Sequence, residues 1–326
     1  MSEDYEDEEV EFKSNTEITS KKTTWVIDKL LGEGGFGAVY KVKDKQSGKF
    51  YAMKVEKKQE KKPSKLKMEI AILKLVASER KNSHFTEIVD RGKKDKEGYF
   101  FLVMELAGSS LADLKKKRAK AFSAPTGLSV SQQCLEACQD LHKYGFIHRD
   151  LKPANYACGA DKKAHTIYIL DFGISRKIIN DRKELKTPRV TCRFKGTLKF
   201  ASLACHKNQE LGWKDDCESW FYLLMDLILP AGLPWKGISD KGTVSKMKEE
   251  VRSKKETYLG IKCGAELEKI ILYLDQLQYQ DHVDYQYIYK TLDEVRLSEV
   301  ILNCLNLQAC STCGGRMDAP YDWEKE

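Results

Sequence analysis

The chain of 326 residues is long enough for one large two-lobed domain or two ordinary ones, and its 41% hydrophobic and 32% charged residues can build a core without disulfide or metal support. The most apolar stretch, residues 220–229, is too short to span a bilayer, and the N-terminus lacks a secretory pattern, so we expect a cytoplasmic or nuclear protein without a membrane partner. The net charge is +7, but the first eleven residues carry seven acids and no base, which leaves +14 on the rest of the chain. This basic body favours acidic or phosphorylated peptide partners over a specific nucleic acid. The alternative is a solvated, lysine-rich surface.

The two ends of the chain differ from its body. Residues 1–22 are predicted to form an acidic, disordered tail, because the acidic stretch has too little apolar surface to offset the entropy of ordering. Near the other end, Cys310 and Cys313 have the spacing of half a zinc site, but no second pair is close enough in sequence to complete it. Loop cysteines, reduced like the others of an intracellular chain, are therefore favoured over a metal site.

Apolar periodicity divides residues 23–326 into a strand-rich first third and a helical remainder. Strands are predicted at 25–31, 37–43, 49–56 and 99–104, with one helix at 64–77. Helices are predicted at 110–121, 129–144, 215–229, 243–256 and 265–279, with short strands at 156–158 and 167–170. The pattern indicates an α+β fold in which a small antiparallel sheet with one helix precedes a larger, mainly helical part.

A glycine cluster joins the first two strands. Gly32, Gly34 and Gly37 satisfy the GxGxxG pattern, which a dinucleotide-binding fold also uses when the glycines open a helix. Here the chain continues as a strand through Val39, so the glycines form the tip of a hairpin whose backbone can approach phosphate groups closely. The context therefore favours a phosphate-covering loop over a dinucleotide site.

Lys54 lies on the third strand between apolar neighbours, which is unusual for a lysine on a solvated surface. An ammonium in that position can hold the phosphates of a nucleotide if a carboxylate fixes it. Glu69, on the helix that follows, is the candidate for that carboxylate. If Lys54 were absent, we would interpret Glu69 as an ordinary solvent-facing residue of the helix.

The segment from His148 to Asn155 reads HRDLKPAN, and DFG follows at residues 171–173. Chance agreement of both motifs with the glycine cluster and Lys54, in this order, is negligible. The chain thus resembles the protein kinase superfamily. The resemblance implies a bilobal fold and transfer of the γ-phosphoryl group of ATP to protein hydroxyls. Lysine two residues after Asp150 is the form of this loop found in serine/threonine kinases.

The resemblance also implies roles for the residues of the two motifs. Asp150 would accept or orient the proton of the acceptor hydroxyl, and Lys152 would steady the transferring phosphoryl group. Asn155 and Asp171 would be the Mg²⁺ ligands, because that ion prefers hard oxygen donors. ATP and Mg²⁺ are therefore the expected cofactors.

By the same resemblance, the N-terminal lobe covers about residues 23–104, a hinge 105–108 and the C-terminal lobe 109–326. Met104 would be the gatekeeper, with the adenine-binding hinge beside it. Lys54, fixed by Glu69, would hold the α- and β-phosphates. The set expected around ATP is Leu31, Gly32, Glu33, Gly34, Gly35, Phe36, Gly37, Ala38, Val39, Ala52, Lys54, Met104, Glu105 and Leu106.

The end of the activation segment departs from the commonest kinase pattern, Ala-Pro-Glu. The chain has GTLKFAS at 196–202, then LACH at 203–206, KDDCESW at 214–220 and LPW at 233–235. These segments resemble the casein kinase 1 group, and residues 206–210, 284–286 and 322–325 resemble its tau-tubulin kinase branch. The resemblance implies that Asp216 supports the backbone of the catalytic loop, and that activity does not need phosphorylation of the activation segment.

Members of that group bind an anion beside the substrate groove, and the matching positions here are Lys199, Lys246 and the backbone of Gly237. Lys199 stands where relatives have arginine, and a lysine offers a point charge rather than a bidentate fork. We expect a monomeric enzyme that favours acidic or phospho-primed protein substrates with Ser or Thr acceptors. The alternative is that these lysines are solvated surface.

Two other classes of function fit part of the pattern. A pseudokinase scaffold would bind partners without phosphoryl transfer, but such proteins usually lose the strand lysine, the loop aspartate or the DFG aspartate. Lys54, Asp150 and Asp171 are all present. The interpretation as a polyanion-binding structural protein is supported by the net charge alone. The kinase interpretation is therefore favoured over both.

Overall fold

The computed structural model describes residues 10–34, 37–59, 64–79, 84–253, 264–306 and 320–324, without the side chains of residues 79, 253 and 298–306. A six-stranded antiparallel sheet forms its N-terminal lobe. The strands are β1 (Glu17–Thr19), β2 (Thr24–Gly34), β3 (Gly37–Asp44), β4 (Phe50–Lys57), β5 (Ile88–Lys94) and β6 (Tyr99–Met104). They lie in the order β1-β2-β3-β4-β6-β5. Helix α1 (Lys65–Glu79) packs against β5 and β6.

The C-terminal lobe is mainly helical. Its helices are α2 (Leu111–Arg118), α3 (Ala124–Lys143), α4 (Leu203–His206), α5 (Trp213–Ile228), α6 (Lys241–Ser253), α7 (Gly264–Gln276) and α8 (Tyr285–Asn306). Two ribbons pair β7 (Phe146–Ile147) with β10 (Arg176–Lys177) and β8 (Tyr156–Cys158) with β9 (Ile167–Ile169). The predicted α+β class, with a sheet lobe and a helical lobe, is confirmed.

Helix α5 is the centre of the lower lobe. Fifteen of its sixteen residues are buried, so protein surrounds it on almost every side, and Trp220 within it is fully buried. The indole Nε1 of Trp220 donates to the carbonyl of Ser131 on α3 over 2.7 Å, so its polar atom is satisfied. The packed pair α3 and α5 forms the base on which the catalytic loop between β7 and β8 rests.

The prediction of a disordered tail is wrong for residues 10–22. Strand β1 pairs with β2, with Ile18 opposite Trp25, and Ile18 is buried. Phe12 packs edge-on against Tyr40 and Tyr99, with ring centroids 5.5 and 5.3 Å away. A few apolar side chains order a polar segment here because an apolar sheet face is already present to receive them. Residues 1–9, with most of the acids, lie outside the described residues.

Most predicted elements are present, but some boundaries differ and some elements were not predicted. Helix α3 begins five residues before the predicted start, because Ser123 caps it and a proline occupies its first turn. Strand β5 escaped prediction because it is half exposed and carries glycine and charges. Helix α8 also escaped it, although Ile288, Leu292 and Val295 are buried at helical spacing. Cys310 and Cys313 lie outside the described residues.

Residues 320–324 bind back onto the start of α3. The two carboxylate oxygens of Asp322 accept from the backbone N and the Oγ of Ser123, both over 2.7 Å. Trp323 packs on Phe122 with ring centroids 5.3 Å apart, and Tyr321 is buried beside α3. Within the described residues, no helix is both long enough and apolar enough to cross a membrane.

The pairing of β1 predicts a measurable contribution to stability. Ile18→Ala removes a side chain that is 2% exposed, so it should lower the free energy of unfolding by about 2–4 kcal/mol. Lys21→Ala, at an exposed position three residues away, should change it by less than about 0.5 kcal/mol. Urea denaturation measures both. Equal, negligible effects would restore the prediction of a tail.

Candidate active site

The β2–β3 hairpin covers the mouth of the cleft between the lobes. Gly37 requires glycine, because its φ is +100° and a Cβ would lie 2.0 Å from the carbonyl oxygen of Val55. A Cβ at Gly32 or Gly34 would meet no other atom within 4 Å, so this side of the hairpin is open for a ligand to approach. Leu31 and Glu33 are exposed on the same strand. Gly35 and Phe36 lie outside the described residues.

The rear of the cleft is formed by three neighbouring strands. Ala38 and Val39 on β3 are followed across the sheet by Lys54, which is opposite Val39, and Ala52 is opposite Met104 on β6. Ala52 and Met104 are each 7% exposed. Val39, Ala52 and Met104 pack in one apolar cluster, and Lys54 lies on the same face of the sheet, whereas Ala38 belongs to the cluster on the opposite face.

The predicted hinge residues lie directly after β6. The backbone N of Glu105 donates to the carbonyl of Glu87 over 2.9 Å, and its carboxylate accepts from Lys163 Nζ over 2.6 Å. Leu106 is half-buried against the main core. The side chain of Glu105 is thus engaged by the lower lobe, which leaves the backbone of this segment as the part that can face a nucleotide base.

Lys54 lies between two carboxylates. Its Nζ is 2.7 Å from Glu69 Oε2 on α1 and 2.8 Å from Asp171 Oδ1, and Lys54 and Glu69 are both buried. Burial alone would lower the pKa of Lys54, but attraction by Glu69 and Asp171 outweighs burial and raises it, so the ammonium remains charged at neutral pH. The hypothesised ion pair of Lys54 with Glu69 is present in the structure.

Asp171 is held in an uncommon backbone conformation. Its φ is +65°, and the next residue, Phe172, packs between Phe85 and His148 with both ring centroids 5.5 Å away. Burial would raise the pKa of Asp171, but the ammonium of Lys54 outweighs it and lowers the pKa. Packing of Phe172 therefore fixes an ionised carboxylate at the floor of the cleft.

The catalytic-loop residues converge on Asp150, which is buried. Its Oδ1 accepts from Thr197 Oγ1 over 2.7 Å, and its Oδ2 accepts from Lys152 Nζ over 2.8 Å. Lys152 also donates to Thr197 Oγ1 over 3.0 Å. Asn155 Nδ2 donates to the carbonyl of Asp150 over 2.8 Å, which leaves the amide oxygen of Asn155 directed elsewhere.

The backbone of this loop is fixed by Asp216, in the first turn of α5. The carboxylate accepts from the backbone N of His148 over 2.6 Å and of Arg149 over 2.8 Å. His142 Nε2 donates to the same carboxylate over 2.9 Å, and its other ring nitrogen bonds to Tyr285. Asp216 thus has the contacts that the resemblance implied for it.

A cluster of arginines lies beside the catalytic loop and surrounds one carboxylate. Arg189 makes two bonds to Glu210, over 2.6 and 2.9 Å, and Arg176 lies 3.5 Å from it. Burial opposes ionisation, but these guanidinium groups lower the pKa of Glu210 to about 2. The pKa of Arg149 is lowered to about 10 by burial and by the positive charges of Arg176 and Arg189. The activation segment is therefore tied to the lower lobe by charge already in the chain.

Of the three positions of the predicted anion site, only Lys199 is among the residues that line the lysine-rich cavity beside the catalytic loop. Lys199 lines a cavity of about 420 Å³ beside Lys152, but its Nζ is 2.6 Å from Asp226 Oδ1, so its charge is already paired. Gly237 and Lys246 are exposed and do not line that cavity. The other basic residues lining it are Lys115, Lys116, Lys120, Lys152 and Lys236.

Residues 25–290 match the family model described as the protein kinase domain. The chain belongs to the protein kinase family. The kinase is 36% identical over 241 residues to the putative serine/threonine-protein kinase ZK507.1 of Caenorhabditis elegans, with 73% of this chain and 71% of the relative covered. It is 32% identical over 307 residues to the putative serine/threonine-protein kinase K06H7.1 of that species, with 92% and 82% covered. It is 30% identical over 277 residues to the serine/threonine-protein kinase spe-6 of the same species, with 83% and 71% covered.

The family and its relatives identify a protein serine/threonine kinase. Membership of the family implies that the enzyme uses ATP with a divalent metal and acts on protein substrates with Ser or Thr acceptors. The pattern of sequence motifs predicts the same class of enzyme.

Sequence reasoning did not find Thr197 or His142 as members of the site. Thr197 follows Gly196, whose φ is +103° and whose Cβ would lie 2.5 Å from the carbonyl oxygen of Arg149. The adjacent Gly-Thr pair was the available signal for a close approach to the catalytic loop. His142 carried no such signal, because its partner Asp216 is 74 residues away in sequence.

The arrangement around Lys54 predicts unequal effects of two substitutions. Lys54→Met removes the cation that two carboxylates and a nucleotide would share, so kcat/KM should fall at least about a hundredfold. Glu69→Gln leaves the ammonium paired with Asp171 and should lose less. Steady-state phosphorylation assays measure both, with circular dichroism as the control for folding. A larger loss for Glu69→Gln would contradict the proposed arrangement.

Proposed function

We propose that this kinase belongs to the casein kinase 1 group, closest to its tau-tubulin kinase branch, and transfers the γ-phosphoryl group of ATP, with Mg²⁺, to acidic or phospho-primed protein substrates. The group assignment is supported by the sequence after Gly196, where helix α4 follows Ser202 in place of Ala-Pro-Glu. The substrate class is supported by one observation above all, the lysine-rich cavity beside Lys152.

The donor atoms fit a Mg²⁺ site. Lys54 and Gly173 both bond to Oδ1 of Asp171, and Asn155 uses its amide nitrogen to hold the loop, so a carboxylate oxygen and an amide oxygen remain as ligands. Asp171 and Asn155 would hold the ion. When bound, Mg²⁺ neutralises charge on the phosphates of ATP.

In the proposed reaction, the protein positions the acceptor and stabilises charge. Asp150 receives the hydrogen bond, and then the proton, of the substrate hydroxyl. Lys152, which already bridges Asp150 and Thr197, presents its ammonium to the phosphoryl group in transit. Lys54 holds the remaining phosphates in line with the attack.

The lysine-rich cavity supports a preference for anionic substrates. Six lysines line it, and among its lining residues Asp226 is the one acid. Lys115 and Lys199 both lie against that carboxylate, at 3.1 and 2.6 Å, so they contribute one excess charge between them. Lys116 and Lys236 are exposed at its rim, where an acidic or phosphorylated side chain would meet them.

The ties of Glu210 to Arg189 and Arg176 support activity without phosphorylation of the activation segment, because a carboxylate of the chain already occupies the arginine cluster. We further propose a monomeric enzyme of the cytoplasm, with the nucleus as the alternative location. The proposed monomer and its location are based on the sequence and on its resemblance to the casein kinase 1 group.

The proposed chemistry predicts loss of activity without loss of folding. Asp150→Asn removes the proton acceptor at nearly constant volume, and Asp171→Ala removes a metal ligand, so each should lower kcat by at least about a hundredfold. The assay uses phosphatase-treated protein with Mg²⁺ and ATP, and thermal unfolding is the control. Wild-type kcat in either variant would refute the assigned role. Wild-type protein that is active only before phosphatase treatment would contradict activity without phosphorylation, and wild-type protein that is inactive both before and after treatment would favour the pseudokinase alternative.

The cavity predicts a charge-dependent substrate preference. A primed or acidic Ser/Thr peptide should have a higher kcat/KM than neutral or arginine-rich peptides of matched length, and the difference should shrink at high salt. Lys116→Glu with Lys236→Glu should raise KM for the primed peptide by about tenfold, with little effect on the neutral one. Lys246→Glu, which changes charge outside the cavity, separates this site from the predicted one. Equal kcat/KM for all peptides would leave the lysines as solvated surface.

A further inference from the structure

Lys248, on α6, is fully buried, and no carboxylate of the described residues lies within ion-pair distance of it. Its Nζ donates to the carbonyls of Leu198 over 2.9 Å and Ala201 over 2.6 Å, and lies 3.2 Å from His206 Nε2. The three hydrogens of an ammonium therefore have three acceptors. Burying a charged amine without an opposite charge is costly, and a neutral amine still has the two N–H groups that the two carbonyls need.

Two aromatic rings complete the surroundings of Lys248. The ammonium lies 4.8 Å from the ring centre of Tyr222 and 5.4 Å from that of Trp235, within the range of cation–π attraction. Burial lowers the pKa of Lys248 to about 7, and Glu218, which is bonded to Arg252, opposes burial only in part. Burial also lowers the pKa of His206, so its neutral imidazole can accept a hydrogen bond from Lys248.

The carbonyls that Lys248 holds belong to a short stretch of irregular chain. Residues 198–201 are in no strand or helix, so their carbonyls need partners from elsewhere. Lys248 satisfies two of them, and Trp235 Nε1 donates to a third, that of Lys199, over 2.7 Å. The backbone N of Phe200 and of Ala201 bond back to the carbonyl of Thr197. The stretch is thus fixed at both its ends.

This stretch connects the reacting centre to the cavity of lysines. Thr197, immediately before it, donates to Asp150, and Lys199 and Phe200 line the cavity. A peptide that placed its hydroxyl at Asp150 and an anionic residue in the cavity would lie along residues 197–201. The shape of this backbone therefore decides where such a peptide can bind.

We propose that Lys248 is a positioning residue for the substrate peptide, which fixes the backbone of residues 198–201 against α6 and so aligns bound peptide with Asp150. The inference rests on the proposed kinase activity and adds to it a determinant of peptide binding that touches neither ATP nor the reacting atoms. Glu218 and Arg252 have a different task. They bind each other over 2.9 Å, and Glu218 accepts from the backbone N of Leu203, so they hold α4.

The test compares three variants with an uncharged peptide substrate, so that overall charge does not enter. Lys248→Met removes the donors and keeps the length of the side chain. Lys248→Gln restores donors without charge. Lys290→Met removes a charge from an exposed position on α8 and is the matched control. The measurements are KM and kcat for the peptide, KM for ATP, the rate of ATP hydrolysis without peptide, and the melting temperature.

Lys248→Met should raise KM for the peptide by about tenfold or more, while KM for ATP and peptide-free ATP hydrolysis change less than about twofold. Lys248→Gln should recover much of the peptide KM, and Lys290→Met should match the wild type. If peptide phosphorylation and ATP hydrolysis fall in parallel with unchanged KM, Lys248 is only structural and the proposal fails. An unchanged peptide KM in Lys248→Met also overturns it.

A second variant covers the case in which Lys248→Met does not fold. Trp235→Phe keeps the aromatic ring but removes the donor to the carbonyl of Lys199, and it should raise peptide KM with the same sparing of ATP hydrolysis. No rise in peptide KM would reject control of binding through this backbone. A wild-type protein that phosphorylates no peptide would instead refute the proposed function, so the two failures are distinguishable.

Discussion

The buried carboxylate of Asp216 is the constraint on which the reacting centre depends. It sits in the first turn of α5, where the helix dipole favours negative charge, and it holds the amides of His148 and Arg149. Arg149 has a φ of +70°, a conformation that costs a residue with a side chain about 1–2 kcal/mol. The bonds from Asp216 offset that cost. Because Asp150 comes next in the chain, the proposed catalytic carboxylate takes its position from the core helix beneath it.

The upper half of the site depends on a second buried charge. Lys54 joins β4 to α1 through Glu69 and to the lower lobe through Asp171, a residue 117 positions away in sequence. Breaking the contact with Glu69 would leave a buried carboxylate unpaired, which is costly in a dry interior. The two lobes are therefore linked at the cleft by electrostatics, and Phe172 supports the same junction by packing between Phe85 and His148.

Local patterns predicted the fold class, most strands and helices, and the positions of Lys54, Asp150 and Asp171, because each depends on neighbours close in sequence. Strand β1 was missed because its order comes from the sheet face that Ile18 contacts, not from its own composition. The anion site was predicted from matching positions alone, and the sequence could not reveal that Lys199 shares the carboxylate of Asp226 with Lys115. Lys248 likewise reads as one more helix lysine, since the carbonyls it binds lie 47 and 50 residues away.

The contact of Asp322 with Ser123, the N-cap of α3, has a consequence for synthesis of the chain. Ser123 and its partner are separated by 199 positions, so the first turn of a central helix is completed by residues translated long after it. Contacts of such sequence separation form late, because the intervening chain must be ordered first. Ser123 can cap α3 without Asp322, because its Oγ accepts from the backbone N of Thr126, but the carboxylate of Asp322 and the ring of Trp323 reach this end of the helix only after they have been translated. The packing of residues 321–324 on α3 is therefore among the last steps in completing the lower lobe.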